Sequence, residues 1–308
     1  MNILVTGGSG FIGRNIVMML KEEGNTVGTY DIRDKNSVSD YHIMNDVRNL
    51  KMLEKACSGI DYVFHLAAVT SPQEFENLTG EAYEVNVMGR YNVLAASANN
   101  NVKRVILASS SSIYGDIREA AKEPELPAAY SNFYPMTKRI NEMTANLFNQ
   151  YGLETVSLRY FNTYGVGENS KGEYSSVIWK FISSIRNGNK PVIFGDGTQR
   201  RDFIYVEDTA RASVLALKNG TPGGAYNVGT GKSTDFNTIF SIVKEEMGYQ
   251  GEAEYVPNPL KSYQMFTLAD VKKAKEELKF EPKYTVRDGV KKMVKEISET
   301  TGKNSKST

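Results

Sequence analysis

The chain has 308 residues, 40% of them hydrophobic and 24% charged, with a formal net charge of +1. This is core-forming material for one large or two coupled domains. The near-neutral balance gives no polyelectrolyte drive toward nucleic acid or an anionic membrane, so a small-molecule partner is expected. A single cysteine, Cys57, excludes an intrachain disulfide and suits a reducing cytosol. With His42 and His65 the only histidines, no His/Cys metal cluster is evident, and no metal is expected. No apolar run reaches membrane-spanning length, and a strand-like pattern starts at Asn2, which leaves no room for a signal peptide. The expectation is a cytoplasmic enzyme.

In chain order, Ile3-Leu4-Val5 reads as a buried strand, followed by a glycine-rich turn and a helix. Ile12, Ile16, Met19 and Leu20 share one face of that helix, which ends at Gly24. Thr26-Val27, Tyr62-Val63-Phe64, Val105-Ile106-Leu107 and Thr155-Val156 read as further strands. Glu81 to Asn99 and Tyr134 to Tyr151 read as helices. Strand-helix alternation at this spacing predicts an α/β fold, a doubly wound parallel-sheet (Rossmann) domain over residues 1–165. From Gly165 the rhythm loosens. A helix over Val177 to Ile185 and a short strand at Val192-Ile193-Phe194 begin a smaller substrate-binding α/β region, assigned to 166–201 and 233–298. The chain is expected to re-enter the first domain over about 202–232, through Phe203-Ile204-Tyr205-Val206 and Tyr226-Asn227-Val228. Residues 299–308 form a polar tail, expected to fray.

Gly8-Ser9-Gly10-Phe11-Ile12-Gly13 has the spacing of a dinucleotide fingerprint between a strand and a helix. Glycine there allows a tight turn, close approach of backbone to a pyrophosphate, and close helix-sheet packing. Asp31 closes the second strand, where a carboxylate can accept both adenosine-ribose hydroxyls and repel a 2′-phosphate. That favours NAD, although Arg33 nearby is a residue able to accommodate the phosphate of NADP. The alternative is that Asp31 caps a turn. Asp46-Val47, after a third strand, is placed to flank the adenine.

Tyr134-Pro135-Met136-Thr137-Lys138 sets a phenol and an ammonium at i and i+4 on one helix face. A free phenol titrates at about 10, but a neighbouring ammonium favours the phenolate and brings a general base within range. With 18 tyrosines in the chain the spacing also arises by chance. Ser109-Ser110-Ser111-Ser112 supports the chemical reading. It closes a strand at the sheet edge where α/β proteins bind ligands, and the alternative is a solvated turn.

With these residues the chain resembles the extended short-chain dehydrogenase/reductase family, in particular its UDP-glucose and UDP-N-acetylglucosamine 4-epimerases. The resemblance spans roughly residues 1 to 298. It rests on Thr6 to Gly13, His65-Leu66-Ala67-Ala68, Asn86-Val87-Met88-Gly89, Ser110 to Gly115 and Tyr134 to Lys138. It continues through Arg159-Tyr160-Phe161-Asn162, Gly195-Asp196-Gly197, Arg201-Asp202-Phe203 and Tyr226-Asn227-Val228-Gly229. It implies Ser110, Tyr134 and Lys138 as the catalytic set. It implies NAD contacts from Gly7, Gly10, Phe11 and Ile12, from Asp31, Ile32 and Arg33, and from Asp46 and Val47. Leu66, Ala67, Ala68 and Tyr160, together with Tyr134 and Lys138, complete that cofactor set.

On the substrate side the resemblance implies Ser110, Ser111, Ser176 and Val177, with Asn162 and Arg201 on the sugar diphosphate and Phe194 at the uracil. A guanidinium fork suits phosphate oxygens; the alternative for Arg201 is an ion pair with Asp202. Sugar 4,6-dehydratases of the family place Asp-Glu after the catalytic serine position. Here Ser111 and Ser112 stand there and supply no acid, which implies epimerisation. The Arg-x-x-Asp that relatives use on the nucleotide ribose is absent: its positions hold Leu260 and Tyr263, with Lys261 a candidate replacement for the charge. Thr267, three residues before Asp270, stands at a position that gates pocket size, and a small residue there implies room for an N-acetyl group. The run Tyr263 to Asp270 is similar also to that of ADP-heptose 6-epimerases, which is the alternative activity; a non-catalytic NAD-binding sensor is the alternative of another class. The resemblance further implies a homodimer formed through the Glu81–Asn99 and Tyr134–Tyr151 helices.

Overall fold

A computed structural model describes residues 1–34, 38–70, 75, 79–130, 132–259 and 263–304. Its main sheet has seven strands, all parallel: β1 (Asn2–Thr6), β2 (Thr26–Asp31), β3 (Tyr41–Met44), β4 (Tyr62–His65), β5 (Arg104–Ser110), β6 (Glu154–Tyr160) and β10 (Ala225–Val228). All five apolar runs read as strands are strands of this sheet. They are runs rather than alternations because both faces are covered. Ile3 and Val5 enter one core with Ile16, Val17 and Leu20, while Leu4 enters another with Leu53, Val93 and Ala145.

The spatial order is β3-β2-β1-β4-β5-β6-β10. The chain builds outward from β1 in one direction and then returns to build from β4 in the other. The crevice beyond the carboxyl ends of β1 and β4 is therefore the switch point at which such sheets bind ligands.

Helix α1 (Phe11–Glu22) follows β1 directly, and α2 (Leu50–Cys57) precedes β4. The helix expected over 81–99 is interrupted: α3 (Thr79–Tyr83) leads into a π turn at Glu84–Met88 and then α4 (Gly89–Asn99). The turn turns Asn86 toward the loop after β4, where its amide accepts from the Val69 N–H at 2.8 Å and donates to the Val69 carbonyl at 3.0 Å. Helix α5 (Phe133–Gln150) covers the predicted Tyr134–Tyr151 helix.

The second unit has its own core. Strands β7 (Asn162–Tyr164), β9 (Arg200–Tyr205) and β11 (Ser233–Asp235) form a three-stranded sheet, and β8 (Val192–Phe194) pairs with β12 (Glu254–Val256). Phe203-Ile204-Tyr205, read as a return into the first domain, thus pairs elsewhere, because both edges of β9 are taken by β7 and β11. The return runs instead through α7 (Val206–Asn219), which packs on α1, and through β10 at the sheet edge beside β6. Helices α6 (Val177–Arg186), α8 (Phe236–Glu246) and α9 (Val286–Asn304) close the second core around Ile178, Phe181, Ile239 and Met293. Phe11, the first residue of α1, is buried in that second core rather than in the first. Helix α9 carries the expected polar tail as far as Asn304; residues 305–308 lie outside the described residues. No described helix is long and apolar enough to cross a membrane.

Close helix-sheet packing sets the glycine loop. A Cβ on Gly13 would sit 2.2 Å from the Gly7 carbonyl oxygen, an approach that no side chain survives without moving the loop. Gly13→Ala is expected to cost about 1–3 kcal/mol in urea unfolding, the range for overpacking a tight site, and to weaken dinucleotide binding in parallel. A variant of unchanged stability and affinity would show that α1 can shift at no cost.

Candidate active site

Gly7 leaves β1 with φ +71°, and a Cβ there would meet the Ala67 amide nitrogen at 2.6 Å. The glycine loop and the Leu66-Ala67-Ala68 segment after β4 therefore close on each other with only backbone between them. Leu66, Ala67 and Ala68 are partly exposed along this gap. Gly10 is the N-cap of α1, so Phe11 and Ile12 form the helix's first turn with its N–H groups directed at the crevice.

Asp31, at the end of β2, accepts from the Ser9 N–H at 3.0 Å and the Arg33 N–H at 3.1 Å. It braces the loop and stands beside it, as a ribose-binding carboxylate must. Ile32 is exposed, and the Arg33 guanidinium reaches back to the Ser9 carbonyl at 3.4 Å. Asp46 is engaged otherwise: Arg48 grips its carboxylate with two donors, at 3.1 and 2.7 Å, and this holds the carboxyl below its usual range. Val47 is buried under Gly89, where a Cβ would lie 2.6 Å from its methyl.

At the carboxyl end of β5, Lys138 Nζ lies 5.6 Å from the Tyr134 ring centroid and donates to the Ala108 carbonyl at 3.4 Å. Both side chains are buried. Burial first, and the Arg90 guanidinium second, lower Lys138 to about 7, against an opposing pull from Glu142. Ser110 closes β5 in register with Tyr160. Its Oγ accepts from the Ser112 N–H at 3.2 Å, which leaves its own proton to donate. Ser111 is buried in the short 3-10 turn that follows.

Behind this face stands a network that the sequence did not announce. Glu142, one turn beyond Lys138, accepts from Arg159 at 2.9 and 2.7 Å and from the Ser109 hydroxyl at 2.6 Å. Arg159 also donates to the Tyr114 hydroxyl and the Glu123 carbonyl, each at 2.8 Å. The signal was available in the i, i+4, i+8 series Tyr134, Lys138, Glu142.

On the substrate side the alternative for Arg201 fails. Asp202 is satisfied by the N–H groups of Thr230, Gly231 and Ala269 and by the Thr230 hydroxyl. Arg201 instead lies between the rings of Phe236 and Tyr263, at 5.7 and 5.3 Å, and bonds to the Gln264 carbonyl. Gln199, also missed, donates to the Phe194 carbonyl at 2.9 Å and to the Tyr263 hydroxyl at 3.4 Å, which joins Phe194 to the same group. Leu260 and Lys261 lie outside the described residues.

Two residues expected at the substrate also make bonds within the protein. Ser176 caps α6 by accepting from the Trp179 N–H and gives its proton to buried Glu168 at 2.7 Å; Val177 beside it packs against the second core. The Thr267 hydroxyl, expected to face an acetamido group, accepts from Asn162 at 2.9 Å and from the Asp202 N–H at 3.0 Å, which leaves its own proton to donate. It orients Asn162.

Residues 3–229 match the family described as the NAD dependent epimerase/dehydratase family. The chain belongs to this family. A putative UDP-glucose 4-epimerase of Methanocaldococcus jannaschii is 35% identical to it over 302 residues, covering 95% of this chain and 97% of the relative. Among solved structures, the UDP-glucose 4-epimerase of Thermotoga maritima with UDP-glucose superposes with a TM-score of 0.92 at 33% identity, covering 98% and 100% of the two chains. The UDP-N-acetylglucosamine 4-epimerase of Methanobrevibacter ruminantium, in complex with UDP-N-acetylmuramic acid, gives 0.90 at 32%, covering 97% and 98%. The cofactor of this epimerase family is NAD, and the Cβ-free cradle at Gly7 and Gly13 fits a dinucleotide.

A hydrogen bond to a charged group contributes roughly 1.5–3 kcal/mol, so Asp31→Ala is expected to weaken NAD binding about tenfold or more and to narrow the preference over NADP. Titration calorimetry with both cofactors measures this. Unchanged affinity for each would leave Asp31 only its brace on Ser9 and Arg33.

Proposed function

We propose that the protein inverts C4 of a UDP-hexose through a 4-keto sugar. The observation that carries this is the buried Tyr134–Lys138 pair at the ligand-binding edge of the sheet, beside a serine with a proton to give. Tyr134, as phenolate, takes the proton of the sugar 4-hydroxyl. Ser110 donates to the same oxygen and orients it. NAD, held over Gly7, Gly13 and Asp31, would supply the hydride acceptor and donor for C4. Lys138 lies near enough to Tyr134 to favour its anion and to hold the nicotinamide ribose. Ser111 and Ser112 provide no acid for elimination or decarboxylation, so the keto sugar turns over and is reduced on its other face.

Arg201, linked to Phe194 by way of Tyr263 and Gln199, is the diphosphate ligand in this reading, and Asn162 is its companion. Thr267 places no aromatic ring at that wall, which supports acceptance of UDP-N-acetylglucosamine as well as UDP-glucose. Assembly belongs to the same proposal. Tyr83, Met88 and Tyr91 on the Thr79–Asn99 stretch, with Met143 and Leu147 on α5, are exposed on the two helices expected to pair with a second copy.

Tyr134→Phe is expected to lower turnover on the order of a hundred- to ten-thousand-fold with NAD still bound, in an assay interconverting UDP-glucose with UDP-galactose and their N-acetyl forms. Near-normal activity would remove Tyr134 from the role of base. Turnover of ADP-heptose alone would move the reaction to C6. No turnover of any nucleotide sugar by wild-type protein holding NAD would leave a sensor. For assembly, light scattering is expected to give a dimer mass, and Leu147→Glu a monomer; a monomeric wild type at micromolar concentration would count against the pairing.

A further inference from the structure

Arg90, on α4, has no part in the mechanism above, yet it is among the largest fully buried side chains. Its Nη2 donates to the Ala108 carbonyl at 2.7 Å, the same oxygen that Lys138 Nζ uses. Its Nε and Nη1 meet no partner among the described residues. The acid it feels most, Glu142, is already held by Arg159 and Ser109. A buried guanidinium with unmet donors and no carboxylate of its own is destabilising in itself. Its place beside the reacting groups gives it a different use.

We propose that Arg90 is a positioning residue that supplies a permanent positive charge to the proton-transfer site, anchored on the Ala108 carbonyl it shares with Lys138 and within electrostatic reach of the Tyr134 phenol. The proposal rests on reading Tyr134 as the base. Lys138, brought to about 7, holds only part of its charge at neutral pH, whereas Arg90, lowered by burial to about 10, keeps its own. No other buried group facing the site supplies an unpaired positive charge. His65 on β4 is neutral, because burial holds it well below its ordinary value. Tyr160 on β6 stays protonated, raised by burial to about 12. Glu142 is shared between Arg159 and the more exposed Arg139 and still pulls Lys138 and Arg90 toward their charged forms. An opposite charge nearby favours the ionised form of an acid, so Arg90 sustains the phenolate over the range in which Lys138 discharges.

The test uses NAD-bound protein and two readouts: the near-ultraviolet phenolate absorbance of Tyr134, taken as the difference from Tyr134→Phe across pH, and the pH profile of kcat/KM. Because Arg90 also lowers Lys138, its removal returns charge to the lysine. The phenolate titration is therefore made in a Lys138→Met background, where Arg90→Met is expected to raise the midpoint by about one pH unit or more, and with Lys138 present the acid limb is expected to rise by less. Arg90→Lys is expected to reverse that shift only in part, because a lysine buried there loses charge as Lys138 does. The Tm of Arg90→Met is expected to stay level or rise, since the unmet donors are gone. Should Arg90→Met not fold, Arg90→Gln keeps a donor for Ala108 without the charge and gives the same test. An unmoved midpoint and limb, with or without a lower Tm, would assign Arg90 to packing and overturn the proposal. If wild-type protein turns over no UDP-sugar, the functional reading fails on its own, and the phenolate titration still decides the role of Arg90.

Discussion

The Glu142–Arg159 pair, 2.7 Å apart and almost fully withdrawn from water, is the interaction on which the site depends. Both carboxylate oxygens are used, so α5 cannot rotate or slide against β6 without stranding a charge. Breaking such a pair by removing one partner typically costs about 3–5 kcal/mol, against a whole-protein stability of about 5–15 kcal/mol. The pair also extends outward. Arg159 reaches Tyr114, whose hydroxyl bonds to Asn227 at 2.5 Å, and Asn227 in turn donates to the carbonyls of Ala121 and Asp270. Helix, sheet, the loop after β5 and the segment carrying Thr267 are thereby placed by one connected set of polar groups. The position of Lys138 is a property of that set.

The legible parts of the fold were those whose physics is local. Ile3-Leu4-Val5 and Val105-Ile106-Leu107 read as central strands because a parallel strand covered on both faces needs apolar side chains at successive positions. The same signal could not say which sheet β9 joins, since partner choice is decided by β7 and β11, one of them about thirty residues further along. Nor could it show the π turn at Glu84–Met88, because one extra residue in a helix leaves the apolar pattern nearly intact while it redirects Asn86.

The site divides the same way. Gly7, Gly10, Asp31 and the Tyr134–Lys138 spacing carry their meaning in short stretches of chain. Thr267 does not: its hydroxyl serves Asn162, 105 positions away, and the family pattern alone suggested that it faced the ligand. Ser176 is a helix cap to a buried glutamate, which a residue-by-residue alignment cannot distinguish from a ligand contact. Arg90 was invisible because an arginine in a helix reads as a solvated residue until its neighbours close over it.

Phe11 begins the helix whose N-terminus faces the cofactor crevice, yet its ring belongs to the other core, with Lys171 Nζ 4.9 Å from its centroid. Any movement that widened the glycine loop would draw this ring from its seat, and re-exposing such a side chain costs about 1.5–3 kcal/mol. Loosening the glycine loop and loosening the second core are therefore one event. In the proposed reaction the cofactor is restored at the end of each cycle and has no need to exchange, and a ring shared between the glycine loop and the second core suits that tenancy.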